Sequence, residues 1–108
     1  MNEVELDVVD LKELILSNNS FGPNDVAEIR QMISENYGHF AELRDAVGEM
    51  ESEDALTPAG KTKKGVCQFL LGRFAEALET LRAADGSATA LFYCARSLFE
   101  LKQFDQAI

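Results

Sequence analysis

One histidine, His39, and two cysteines, Cys67 and Cys94, are the side chains best suited to acid–base, nucleophilic or soft-metal chemistry in this 108-residue chain. A Ser/His/Asp or Cys/His site would have to use His39, yet that residue follows Gly38 in a turn, and no strand-turn nucleophile elbow accompanies it. A solvated turn histidine is the expectation. Cys67 and Cys94 stand among apolar residues, outside any CxxC or Cys/His cluster, which predicts two buried small hydrophobes rather than ligands or redox thiols. Gly60-Lys61-Thr62 ends like a phosphate loop, but Ala55 stands where the first glycine belongs. Glu49, Glu51, Glu53 and Asp54 lack the central glycine and regular spacing of a calcium loop and read as a solvated helix end and linker. The expectation is a protein that is not an enzyme and holds neither metal nor cofactor.

Charge narrows the partners. The chain has 19 acidic and 10 basic residues, a net charge of −9, and 46% hydrophobic residues, enough for a packed core. Such a chain repels phosphate backbones and anionic lipid, so neither nucleic acid nor a membrane is expected as a partner. The excess is confined to one half: residues 1–57 hold 14 acidic and 3 basic side chains, and residues 58–108 hold 5 and 7. Lys61, Lys63 and Lys64 form the one basic cluster, either a solvated face or a pairing surface for the acidic half. Two cysteines, no signal-peptide pattern at Met1-Asn2-Glu3-Val4-Glu5, and a longest apolar run of only Ala90 to Ala95 point to a reduced, cytoplasmic setting. Asn18-Asn19-Ser20 reads there as a polar loop.

Helices are the elements that must position everything else. Apolar residues recur at helical spacing: Val4, Val8, Leu11, Ile15; Val26, Ile29, Ile33; Phe40, Leu43, Val47, Met50; Val66, Phe69, Leu70; Phe74, Ala77, Leu78, Leu81; Leu91, Cys94, Ala95, Leu98. Strict two-residue alternation is nowhere sustained. Pro23 and Pro58 mark first helical positions, with Thr57 an N-cap. Six helices and the start of a seventh are predicted, with turns at Ser17–Gly22, Gly38, Glu51–Thr57, Gly72, Asp85–Ser87 and Lys102–Gln103.

The chain also repeats itself. Gly38-His39-Phe40-Ala41-Glu42 recurs 34 residues later as Gly72-Arg73-Phe74-Ala75-Glu76, and a weaker copy follows at Gln103-Phe104-Asp105-Gln106-Ala107-Ile108. Period and pattern together resemble the tetratricopeptide repeat. Gly65, Gly72, Ala77 and Ala84 take its small-residue and turn positions in the copy from Pro58, and Leu91, Ala95, Leu98 and Ala107 match in the copy from Ala88. Over 24–57 the match is marginal, with Leu43 and Met50 in place of the two alanines. The resemblance implies an all-α solenoid of helical hairpins: a capping helix and loop (1–22), a divergent pair (23–57), a repeat (58–87) and an incomplete repeat (88–108). The last copy arrives four residues early, about one helical turn, so the helix ending near Ala84 should be clipped. Lys61, Lys64 and Gln68 occupy slots the family keeps apolar, so the first helix of that repeat should pack loosely. Ile108, a few residues into a helix opening at Phe104, suggests a fragment of a longer array or an end covered by a partner.

In that family the first helix of each repeat lines a concave groove. Carried over, the groove shows Thr89, Phe92, Arg96, Phe99 and Glu100 from the last repeat and Ala59, Thr62, Val66, Phe69 and Leu70 from the one before. Phe69, Leu70, Phe92, Arg96, Phe99 and Glu100 are the candidate partner-binding residues. Thr62 and Val66 stand where a carboxylate clamp for acidic chaperone tails would need Lys and Asn, so that ligand is not expected. The function implied is non-catalytic binding of a protein, peptide or helix. The alternatives are an assembly segment that self-associates through its N-terminal helix or open C-terminal end, and a small secretion-type chaperone that shields a client segment.

Overall fold

The computed structural model describes residues 11–17, 21–53 and 55–107, with only the helical backbone of 104–107. Six helices follow one another: α1 (Leu11–Ser17), α2 (Pro23–Glu35), α3 (Gly38–Glu51), α4 (Pro58–Leu70), α5 (Phe74–Arg82) and α6 (Ala88–Ala107). The fold is all-α, with no strand among the described residues. Val4 and Val8 of the predicted N-terminal helix, the Asn18-Asn19-Ser20 loop and Ile108 lie outside them.

Local chemistry explains three of the helix starts. Gly22 N donates to Asp25 Oδ2 at 2.8 Å ahead of Pro23, and Thr57 Oγ1 accepts from Gly60 N at 3.0 Å ahead of Pro58. Ser87 caps α6, its Oγ accepting from Ala90 N at 3.2 Å. Gly72 has φ +84°, a left-handed conformation that closes the α4–α5 turn and that a Cβ would disfavour. Gly38, its counterpart in the repeated motif, has no such φ and is simply the first residue of α3.

α6 departs from expectation. The predicted turn at Lys102–Gln103 is absent, and one 20-residue helix runs through it. Neither residue breaks a helix and both have high helical propensity, so nothing local stops propagation. α5, at 9 residues, is the short helix expected before the Asp85-Gly86-Ser87 turn.

Two apolar clusters hold the helices. Leu11, Ile15, Ile29, Leu43, Ala46, Val47, Met50 and Cys67 form the first; Val26, Val66, Phe69, Ala77, Leu81 and Ala90 form the second. α4 serves both, through Cys67 on one side and Val66 and Phe69 on the other. It is therefore a central helix, and the expected loose packing is corrected: Thr62, Gly65, Val66, Cys67, Gln68 and Phe69 are all buried. Gln68 is accommodated because its Nε2 donates to Glu51 Oε2 at 3.0 Å. Packing is most extensive between α4 and α5 and between α5 and α6, and α3 packs more on α1 than on α2. At α4–α5 the approach is so close that a Cβ on Gly65 would stand 2.5 Å from Leu81 Cγ. The radius of gyration is 14.4 Å and the extents are 52 × 33 × 24 Å, more elongated than the radius of about 13 Å typical of this length.

Candidate functional site

α2, α4 and α6 border an open cavity of about 860 Å³. Phe69 and Leu70 close its floor from the end of α4, just before the Gly72 turn. Arg30, Ile33 and Glu35 come from α2, Phe40 from α3, Phe74 from α5, and Arg96 and Glu100 from α6. Tyr37, in the α2–α3 turn, stands at the rim with 85% of its surface exposed.

Aromatic contacts shape the wall. Phe69 meets Phe74 with ring centroids 5.3 Å apart and Tyr93 at 5.2 Å, and Tyr93 meets Phe92 edge to face at 4.9 Å. This row ties α4, α5 and α6 together beside the cavity. Arg96 lies over it, its Cζ 5.9 Å from the Phe69 ring centroid. Nη2 of Arg96 donates to Glu100 Oε2 at 3.2 Å, one turn along α6. The guanidinium is thus held on two sides, while its Nε is shielded from solvent without a hydrogen-bond partner. An apolar floor with a positioned cation and carboxylate at its edge suits a ligand with an apolar body and polar groups at fixed places.

The structure divides the six predicted groove residues. Phe69, Leu70, Arg96 and Glu100 line the cavity; Phe92 and Phe99 do not, and each is 54% exposed on the outer side of α6. Thr62 and Val66, carried into the groove by the resemblance, are buried in helix packing instead. Thr62 Oγ1 donates to Asp85 Oδ1 at 2.7 Å, and Asp85 also accepts from Ser87 N at 2.9 Å. These bonds to Ser87 and Thr62 hold the Asp85 carboxyl below its ordinary pKa and pin the α5–α6 turn to α4. Arg30, Ile33, Tyr37 and Phe40 were missed. Ile33 had a signal in the apolar stripe of α2, and Phe40 had one in the repeated motif that also places Phe74 in the wall.

The residues first singled out for chemistry take structural partners. His39 is half-buried rather than freely solvated, with Nδ1 2.7 Å from Glu42 Oε1, which also accepts from Leu11 N at 3.2 Å. Cys67 is buried as predicted, and burial pushes its thiol up to about 12. Cys94 is half-buried against the second cluster. Lys63 is half-buried: its Nζ donates to Ile15 O at 2.8 Å and Leu16 O at 3.4 Å, and burial lowers its pKa. It thereby satisfies carbonyls at the end of α1, where a cation also meets the negative end of the helix dipole. Glu49 pairs with Lys12 of α1 at 2.7 Å, while Glu51 turns to Gln68 and Arg73, so these two carboxylates serve separate partners. No helix among the described residues is long and apolar enough to cross a membrane. Comparison of the chain with family models, with curated proteins and with solved structures returns no match.

Proposed function

We propose that this chain is a non-catalytic, cytoplasmic protein-interaction module of tetratricopeptide-like helical hairpins, and that the α2–α4–α6 cavity receives an apolar peptide or one face of a helix from another protein. The carrying observation is the convergence of Ile33, Phe40, Phe69 and Leu70 on one open cavity beside a positioned Arg96–Glu100 pair. A cavity of about 860 Å³ accommodates a few large side chains, with Arg96 available to a carboxylate or backbone carbonyl of the bound segment. The 34-residue recurrence of Phe40 at Phe74, both in the wall, supports the repeat reading.

Peptides selected from a random library against the purified chain test this. A binder should lose at least tenfold in affinity on Phe40→Glu and on Arg96→Ala, with helicity unchanged. Binders indifferent to both substitutions would rule the cavity out.

A further inference from the structure

Among the described residues, α6 is apolar on two sides and packs only one of them against the fold. Ala90 and Ser97 are buried and Tyr93 and Leu101 half-buried, while Ala88, Leu91, Phe92, Ala95, Leu98 and Phe99 are all exposed. At 100° per residue these six fall within about 120° of the helix circumference, a continuous outer stripe rather than scattered residues. Leu91 is 63% exposed, Leu98 44%, and Phe92 and Phe99 54% each. The stripe presents about 500 Å² of apolar surface, the scale at which patches mark interaction sites. Its members recur at intervals of seven, Ala88 with Ala95, Leu91 with Leu98 and Phe92 with Phe99, the spacing of a seam between packed helices.

We propose that this face binds the same face of a second copy, the two α6 helices running antiparallel across a twofold axis at Ala95. The stripe is self-complementary about that residue: the axis sets Leu91 opposite Phe99 of the second copy and Phe92 opposite its Leu98, so every large pair is an aliphatic against an aromatic. Ala95 meets Ala95 at the crossing, where a small side chain permits close approach. Lys102, the one charged residue on the stripe among the described side chains, falls opposite Ala88 of the second copy. Charge therefore favours the antiparallel arrangement, because a parallel one would oppose Lys102 to Lys102. Two patches facing each other remove about 1,000 Å² from water, the lower bound for a specific interface, so a dimer of moderate affinity is expected. The cavity lies on a neighbouring side of α6 and is left open.

Sedimentation of the whole chain from about 1 to 100 µM tests the association. A monomer–dimer equilibrium is expected, weakened at least tenfold by Leu98→Glu with helicity retained. In a Cys94→Ser background, mixed Leu91→Cys and Phe99→Cys chains should form the mixed disulfide in preference to either self-pair, which tests the register with substitutions that add no charge. A monomer throughout that range, a dimer indifferent to Leu98→Glu, or self-pairing of Leu91→Cys would each overturn the proposal; the first would leave the face to a helix of another chain.

Discussion

Gly65 shows how one residue sets the distance between two helices. It is the small residue of α4 that lets Leu81 of α5 approach, and a methyl group there would stand 2.5 Å and 2.6 Å from Leu81 Cγ and Cδ2. Leu81 is buried in the second cluster, so relief requires α5 to move. Gly65→Ala should therefore destabilise by about 2 kcal/mol despite its gain in helical propensity, seen as a lower urea midpoint. An unchanged or raised midpoint would mean that the α4–α5 contact is softer than the geometry describes. The resemblance assigned Gly65 a small-residue slot, so this contact was legible in the sequence. The carbonyl-capping role of Lys63 was not, because its acceptors, Ile15 and Leu16, lie more than 45 residues away.

Among elements, the α5–α6 turn carries the clearest pH dependence. Asp85 is largely solvent-facing but accepts from Ser87 and Thr62, which lowers its pKa in the folded chain. A carboxyl with a lowered folded pKa contributes stability that is present above its ordinary pKa and is lost as pH falls through the folded value. Between about pH 5 and pH 2 the native chain should lose more stability than Asp85→Asn, measured as the shift in urea midpoint. Parallel acid limbs for the two proteins would remove Asp85 from the account. Helix starts were legible because Gly22-Pro23 and Thr57-Pro58 announce themselves chemically. The course of α6 was not: aligning Phe104 with Phe74 placed a turn at Lys102–Gln103, but no glycine stands there as Gly72 does before Phe74. The packing of α4 was misjudged for a related reason. Polar type at Gln68 suggested exposure, whereas Glu51, 17 residues earlier, supplies a partner that makes burial tolerable.

At the scale of the molecule, two apolar clusters joined through α4 give an elongated chain of helices with an open cavity on one side and an uncovered stripe on the outside of α6. Sequence reasoning found four of the cavity residues and merged them with Phe92 and Phe99, which lie on a different side of the same helix. Spacing along α6 told which residues share a face, but not how the helix is rotated against α4 and α5. That rotation is set by Ala90 and Ser97, whose small side chains turn inward. The central claim is that the cavity, rather than the outer stripe, receives the foreign segment. Its most direct test is an amide chemical-shift map of the isotopically labelled chain titrated with a library-selected peptide. The account predicts changes concentrated at Ile33, Tyr37, Phe40, Leu70, Arg96 and Glu100; changes confined to Leu91, Phe92, Leu98 and Phe99 would contradict it.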